Sequence, residues 1–274
     1  MTTCACSDIP GIPYDQIFFC HFTGKDSRVR NNNLHRPIVS DAVNLTFVEF
    51  SMARFYNENM SDQNFRRIIL QAGKAMQKKD LTVETWGNIS VRDPETGKIF
   101  LTPSGMPYDT LEEDDIVVLN ENGDIVEGRR KPSVEKMLHV RIYQSRSDVN
   151  AILHTHPVDS TVFAVLHESI PVVTDEIAQA IGGSIDCAEY GLPGSMELAE
   201  NVQKALGNKQ ACLMANHGAV CVGKDISECF KVAEVLETGA RIYARALSIG
   251  KPHVIPDDKV AWMRDFAVNK YGQK

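Results

Sequence analysis

Asn88-Ile89-Ser90-Val91-Arg92-Asp93-Pro94-Glu95-Thr96-Gly97-Lys98-Ile99-Phe100-Leu101-Thr102 is the stretch that decides the fold. Two short runs of β-favouring residues flank five turn formers, 93–97, and the pattern reads as a β-hairpin. Upstream, Ser61 is placed to cap a helix in which Phe65, Ile68, Ile69, Ala72 and Met76 recur at i, i+3, i+4, i+7 and i+11, ending near Lys79. Downstream, residues 116–119 read as a strand, and Asn122-Gly123-Asp124 as a turn into Ile125-Val126. Beyond that the pattern alternates: helices are expected at 133–146, 160–166, 196–206 and 226–248, and strands at 151–156, 172–173, 184–185 and 211–214. Consecutive strands are thus joined both by tight turns and by helical crossovers. That combination predicts one α/β domain over residues 61–274, with a mainly antiparallel sheet covered by helices.

Residues 1–60 differ in character. Cys4-Ala5-Cys6, Pro10, Pro13, Gly24 and Asn31-Asn32-Asn33 follow no period, so the segment reads as an irregular N-terminal extension. Within it, residues 45–56 carry Phe47, Val48, Phe50, Phe55 and Tyr56, enough apolar material for a short element that docks on the main body. Met52 and Met60 leave open a later start of translation. Cys4, Cys6, Cys20 and His21 offer metal-binding atoms, but the composition reads as a tail.

The chain has 274 residues, 43% apolar and 24% charged, ordinary for a globular protein with a sizeable core. No apolar run approaches the roughly 18 residues of a membrane span, and no basic segment followed by an apolar one opens the chain. The expectation is a cytoplasmic protein with no membrane partner. With 36 acidic against 29 basic residues the formal charge is -7, which disfavours nucleic acid as a partner. Seven cysteines without a repeated CxxC pair suit reduced thiols in a cytosol.

The sharpest chemical feature is His154-Thr155-His156 at the end of an apolar run. Side chains alternate along a strand, so the imidazoles at i and i+2 leave on one face and both reach one metal ion. Alone, an HxH is more often a pair of ordinary polar strand-end residues. A third histidine, His217, lies in Asn216-His217-Gly218 after another apolar run. Three neutral imidazoles with an open fourth position make a catalytic zinc site. His21, His35, His167 and His253 lack this setting; His139 shares a helix with Glu135 at i+4, and a surface or packing role is expected for it. Glu135, in Pro132-Ser133-Val134-Glu135, is the candidate acid/base, since a metal-polarised carbonyl needs a carboxylate to shuttle the proton beside it. By itself it also suits a helix N-terminus. Two glycine turns, Thr85-Trp86-Gly87-Asn88 and Thr102-Pro103-Ser104-Gly105, together with Ser133 offer hydroxyls, an amide and open backbone N–H groups to a phosphate, without matching a nucleotide-binding motif.

Taken in order, GNxSxR, TPSG, PSxE, HTHP and NHG over residues 61–274 resemble the class II aldolase/adducin family, whose enzymes include L-fuculose-1-phosphate aldolase and L-ribulose-5-phosphate 4-epimerase. The resemblance implies a three-layer α/β/α fold around a mainly antiparallel sheet, assembled as a homotetramer with active sites between subunits. It implies Zn2+ held by His154, His156 and His217, with Glu135 as a further ligand and as acid/base. It implies phosphate contacts from Asn88, Ser104, Gly105 and Ser133, with Thr85 nearby, and a tyrosine, Tyr271, reaching a neighbouring subunit's site.

The activity implied is cleavage of a ketose 1-phosphate, such as L-fuculose 1-phosphate, to dihydroxyacetone phosphate and an aldehyde through a metal-stabilised enediolate. The sequence departs from the family pattern in places. Val134 replaces a phosphate-loop serine of the fuculose enzyme, and Thr174-Asp175-Glu176 replaces its tyrosine-bearing segment, which leaves the aldehyde open. Trp86 is similar to the epimerase, whereas Glu135 is the aldolase choice, and no histidine precedes Tyr271 at the epimerase's spacing. Epimerisation, decarboxylation or dehydration of a sugar phosphate are the enzymatic alternatives. An adducin-like binding module is the non-enzymatic one, and retention of the histidines and Glu135 argues against it.

Overall fold

The computed structural model describes residues 60–272, so the expectations for the docking segment at 45–56 and for Cys4, Cys6, Cys20 and His21 lie outside the described residues. The first helix, α1 (Asp62–Lys78), has Ser61 at its N-cap, but the capping is done by main chain: the Ser61 carbonyl accepts from Asn64 and Phe65, and its hydroxyl makes no cap bond. The hairpin follows as β1 (Asn88–Arg92) and β2 (Ile99–Leu101), then β3 (Val117–Leu119) and β4 (Ile125–Glu127), all antiparallel neighbours. Helix α2 (Lys136–Ser145) leads into β5 (Ala151–Thr155), and α3 (Val158–Leu166) follows. The second half adds β6 (Cys187–Ala188), α4 (Met196–Leu206), β7 (Ala211–Met214), β8 (Gly218–Gly223), α5 (Ile226–Ile249) and α6 (Asp257–Asn269).

The eight strands form one sheet in the order β4-β3-β2-β1-β5-β8-β7-β6, with β6–β7 the single parallel pair among the described residues. Strand alternation divides the sheet's side chains between two cores. Ile89, Val91, Phe100, Leu153, Leu213 and Cys221 face α1, α3 and α5; Ile99, Leu101, Ile152, Met214, Val220 and Val222 face α2 and α4. The result is the expected α/β/α sandwich around a mainly antiparallel sheet. The predicted stripe of α1 is its buried face, and Phe65 stacks on Phe100 with ring centroids 5.0 Å apart. Each such large side chain contributes about 1.5–3 kcal/mol on burial.

Two expected strands are corrected. Residues 172–173 form none: Pro171 has no N–H for a ladder, and the Val172 carbonyl accepts instead from Ile255 ahead of α6. Ser184-Ile185 supplies only an isolated bridge, Ile170 to Ile185, and the strand begins two residues later at Cys187. Strand β8, helix α6 and a π-helical turn at Ile177–Ile181 were not anticipated. Cys187, Cys212, Cys221 and Cys229 are free thiols, and burial pushes Cys212 up to about 12. No helix among the described residues is long and apolar enough to cross a membrane.

Candidate metal centre and active site

Three strands at the middle of the sheet, β1, β5 and β8, bring the site together. Asn88 on β1 lies directly opposite His154 on β5, so both side chains leave the sheet on the α2 side, where Glu135 occupies the N-cap position of that helix with its carboxylate turned to the imidazoles. His156 follows β5, fixed by its backbone N–H to the Leu81 carbonyl at 2.8 Å. His217 is delivered by the β7–β8 turn. That turn rests on Asn216 in the left-handed region at φ +54°, its Oδ1 accepting from His167 at 2.6 Å and its N–H donating to Ala164.

The three imidazoles converge. His154 Nε2 lies 3.0 Å from His156 Nε2 and 3.2 Å from His217 Nε2. Glu135 closes the fourth side, with Oε2 3.2 Å from His154 Nε2 and Oε1 3.6 Å from His217 Nε2. His154 donates its Nδ1–H to the Ala219 carbonyl at 3.0 Å, which leaves a lone pair on Nε2 at the centre of the cluster. Glu135 Oε1 is buried without any hydrogen-bond partner.

This donor set fits a cation. Imidazole nitrogens about 2.0–2.1 Å from a tetrahedral ion stand about 3.3 Å from one another, close to the spacing around His154. Burial, reinforced by His154 and His217 and opposed by Glu135, pushes His156 down to about 3. Burial and His154, against Glu135, push His217 down to about 4. Both shifts favour the neutral ring, the form whose nitrogen lone pair can bind a cation. Burial raises Glu135, but His154, His217 and the Asn88 N–H outweigh it and hold the carboxyl below its ordinary range. The cluster of His154, His156 and His217 could hold a metal ion.

Main-chain bonds tie the segments of Asn88, Ser104 and Ser133 together at the same corner: Thr102 N–H to Ile89 O, Ser133 N–H to Thr102 O and Ser104 N–H to Lys131 O. Ser104 and Gly105 are exposed, Thr85 is half-buried and Ser133 is buried, its Oγ accepting from the Glu135 N–H at 3.2 Å. Asn88 is already committed: it donates to Glu135 Oε2 at 2.8 Å and accepts from His139, leaving one N–H over. Tyr271 is not brought to the cluster; it is exposed, with its ring 6.2 Å from Phe266. Trp86 stands exposed, its ring 6.1 Å from His156. His139 is fully buried rather than at the surface and bonds both Asn88 and Ser90, a role that the 135/139 and 88/90 spacings foreshadow.

Residues 67–244 match the family model described as Class II Aldolase and Adducin N-terminal domain. The 5-deoxy-D-ribulose 1-phosphate aldolase of Bacillus thuringiensis serovar kurstaki is 38% identical over 198 residues, 72% of this chain and 92% of that protein. The L-fuculose phosphate aldolase of Escherichia coli K12 is 36% identical over 203 residues, 74% of this chain and 93% of its own length. A solved L-fuculose 1-phosphate aldolase superposes with a TM-score of 0.73 at 37% identity, covering 76% of this chain and 98% of that one. Sequence, fold and family pattern agree, and the chain belongs to the class II aldolase and adducin family.

Proposed function

We propose that the chain is a cytoplasmic, zinc-dependent aldolase that cleaves a ketose 1-phosphate, of the L-fuculose 1-phosphate kind, into dihydroxyacetone phosphate and an aldehyde. The observation that carries this reading is the buried, unpartnered Oε1 of Glu135 beside three converging imidazoles. Relatives named for 1-phosphate substrates support the substrate class.

In this reading His154, His156 and His217 hold one Zn2+ per subunit, with Glu135 beside them. Bound there, the ion supplies Lewis-acid polarisation of the substrate's carbonyl and neighbouring hydroxyl oxygens. Glu135 does the proton work. Its free Oε1 takes up the proton that the C4 hydroxyl releases as the C3–C4 bond breaks and delivers it to C3 of dihydroxyacetone phosphate, and in the condensation direction it removes that proton from C3. Ser104, Gly105, Ser133, Thr85 and the spare N–H of Asn88 seat the phosphate at the corner where three loops are tied together. Tyr271, free at the surface, serves a neighbouring subunit of a homotetramer and moves the proton of the aldehyde-side oxygen.

The test is incubation of zinc-loaded protein with dihydroxyacetone phosphate in heavy water, following loss of the carbon-bound proton by NMR. Stereospecific exchange that vanishes in Glu135→Gln is the expected result. No exchange, even with a panel of aldehydes, would overturn the reading in favour of epimerisation, decarboxylation or dehydration.

A further inference from the structure

Behind Glu135, away from the imidazoles, runs a file of buried polar side chains. Tyr143 OH lies 2.8 Å from Ser90 Oγ, which lies 2.6 Å from His139 Nδ1; His139 Nε2 meets Asn88 Oδ1, and Asn88 Nδ2 donates to Glu135 Oε2. His139 and Ser90 are fully buried, and Asn88, Tyr143 and Glu135 are 4–5% exposed. The file joins two periodicities, i and i+2 on β1 with i, i+4 and i+8 on α2, in a slot that apolar side chains would fill at no desolvation cost.

The direction of every bond is fixed from the carboxylate end. An ionised carboxylate only accepts, so Asn88 presents its NH2 to Glu135 and its oxygen to His139. That oxygen also only accepts, so His139 carries its proton on Nε2. A neutral ring then has a bare Nδ1, which takes the Ser90 O–H, and Ser90 Oγ in turn accepts from Tyr143. Burial favours the neutral ring, pushing His139 down to about 3.

We infer that His139 is a positioning residue of this active site: held as the Nε2–H tautomer by Ser90, it locks the Asn88 amide so that Glu135 is anchored through Oε2 and only Oε1 is left for proton transfer. The inference rests on the aldolase reading for the role of Oε1. Without a donor on Oδ1 the amide has no reason to keep its orientation, and its flip sets oxygen against carboxylate. The file orients but does not conduct, because an amide N–H does not release its proton. The proton on Glu135 therefore exchanges only on the substrate side.

Two measurements on the full chain test this. In 15N imidazole NMR, with and without zinc, His139 is expected as the neutral Nε2–H tautomer; an Nδ1–H or doubly protonated ring at pH 7 would overturn the inference. In turnover, His139→Phe is expected to lower kcat roughly 10–100-fold while KM and bound zinc stay within about twofold, and His139→Gln, which restores a donor to Asn88 and an acceptor for Ser90, recovers most of it. Wild-type kcat in His139→Phe, a loss confined to KM or zinc content, or no recovery in His139→Gln would each overturn it. Should His139→Phe fail to fold, Ser90→Ala takes its place: a lower kcat at unchanged KM is expected, and wild-type kcat overturns. Failure of the wild-type protein to exchange dihydroxyacetone phosphate counts against the aldolase reading alone, because the ring's tautomer is read without turnover.

Discussion

Gly87 packs against the main chain of His154: a Cβ at residue 87 would lie 2.5 Å from the His154 carbonyl oxygen, and the residue has φ +77°. Both the close approach and the left-handed backbone require glycine. Gly87→Ala is expected to cost about 2–4 kcal/mol of stability and to weaken zinc binding, because relief of the clash moves β1 and β5 apart where Asn88 faces His154. Urea unfolding and a zinc titration on the variant check both parts, and wild-type values in each would contradict the account.

His156 is held at the cluster by the chain leaving β5, and it has no packing role comparable to that of buried His154. His156→Ala should therefore abolish stoichiometric zinc and activity while changing metal-free stability by less than about 1 kcal/mol. The melting temperature of the wild type should rise with added zinc, and that of the variant should not.

His139 titrates near 6.5 when exposed and is pushed down to about 3 by burial in the fold. Between those values the unfolded chain binds a proton that the native state refuses. The stabilising contribution is thus complete above pH 6.5 and is lost as pH falls toward 3, with a slope approaching 1.4 kcal/mol per pH unit, to order of magnitude. Replacing the ring by Gln removes one proton from this linkage. Urea unfolding of metal-free protein across this window should give a shallower pH dependence for His139→Gln than for wild type.

Glu237 of α5 accepts the N–H groups of Asp159 at 2.7 Å and Ser160 at 2.9 Å, capping α3 directly after His156-Pro157. Glu237→Ala is expected to cost about 1–2 kcal/mol, with Glu237→Gln losing less because it keeps one acceptor. Thermal unfolding of the pair gives that order, and equal losses would contradict it.

If Tyr271 serves a neighbour's site, Tyr271→Phe and Glu135→Gln proteins are each impaired, yet mixed oligomers contain sites with both native groups. Unfolding the two together and refolding them should recover part of the wild-type kcat, whereas mixing without subunit exchange should not. Equal activity with and without co-refolding would mean that Tyr271 does not serve a neighbour's site.

Much of this molecule is readable from local pattern. The hairpin at 88–102, the α1 stripe and α4 emerge because their periodicities coincide with their burial. Strand β8 was hidden because Gly218-Ala-Val-Cys-Val-Gly223 is apolar on both faces and shows no alternation, as a strand covered by helices on either side must be. Helix α6 was hidden because its apolar face is weak: Val260 is buried while Trp262, Val268 and many neighbours are exposed. At the site, the three histidines were legible through motif and strand parity. The double commitment of Asn88 was not, since it depends on the depth at which α2 crosses β1, a tertiary fact that spacing only suggests.

The order of the sheet places β1, β5 and β8 side by side at its middle, with β4 and β6 at its edges. Amides of interior strands exchange with solvent only when large parts of a protein open, whereas exposed turns open alone. Asn88 and His154 stand on those interior strands and are expected among the slower-exchanging backbone positions of the described residues, whereas exposed Ser104 and Gly105 lie on a turn expected to open more readily.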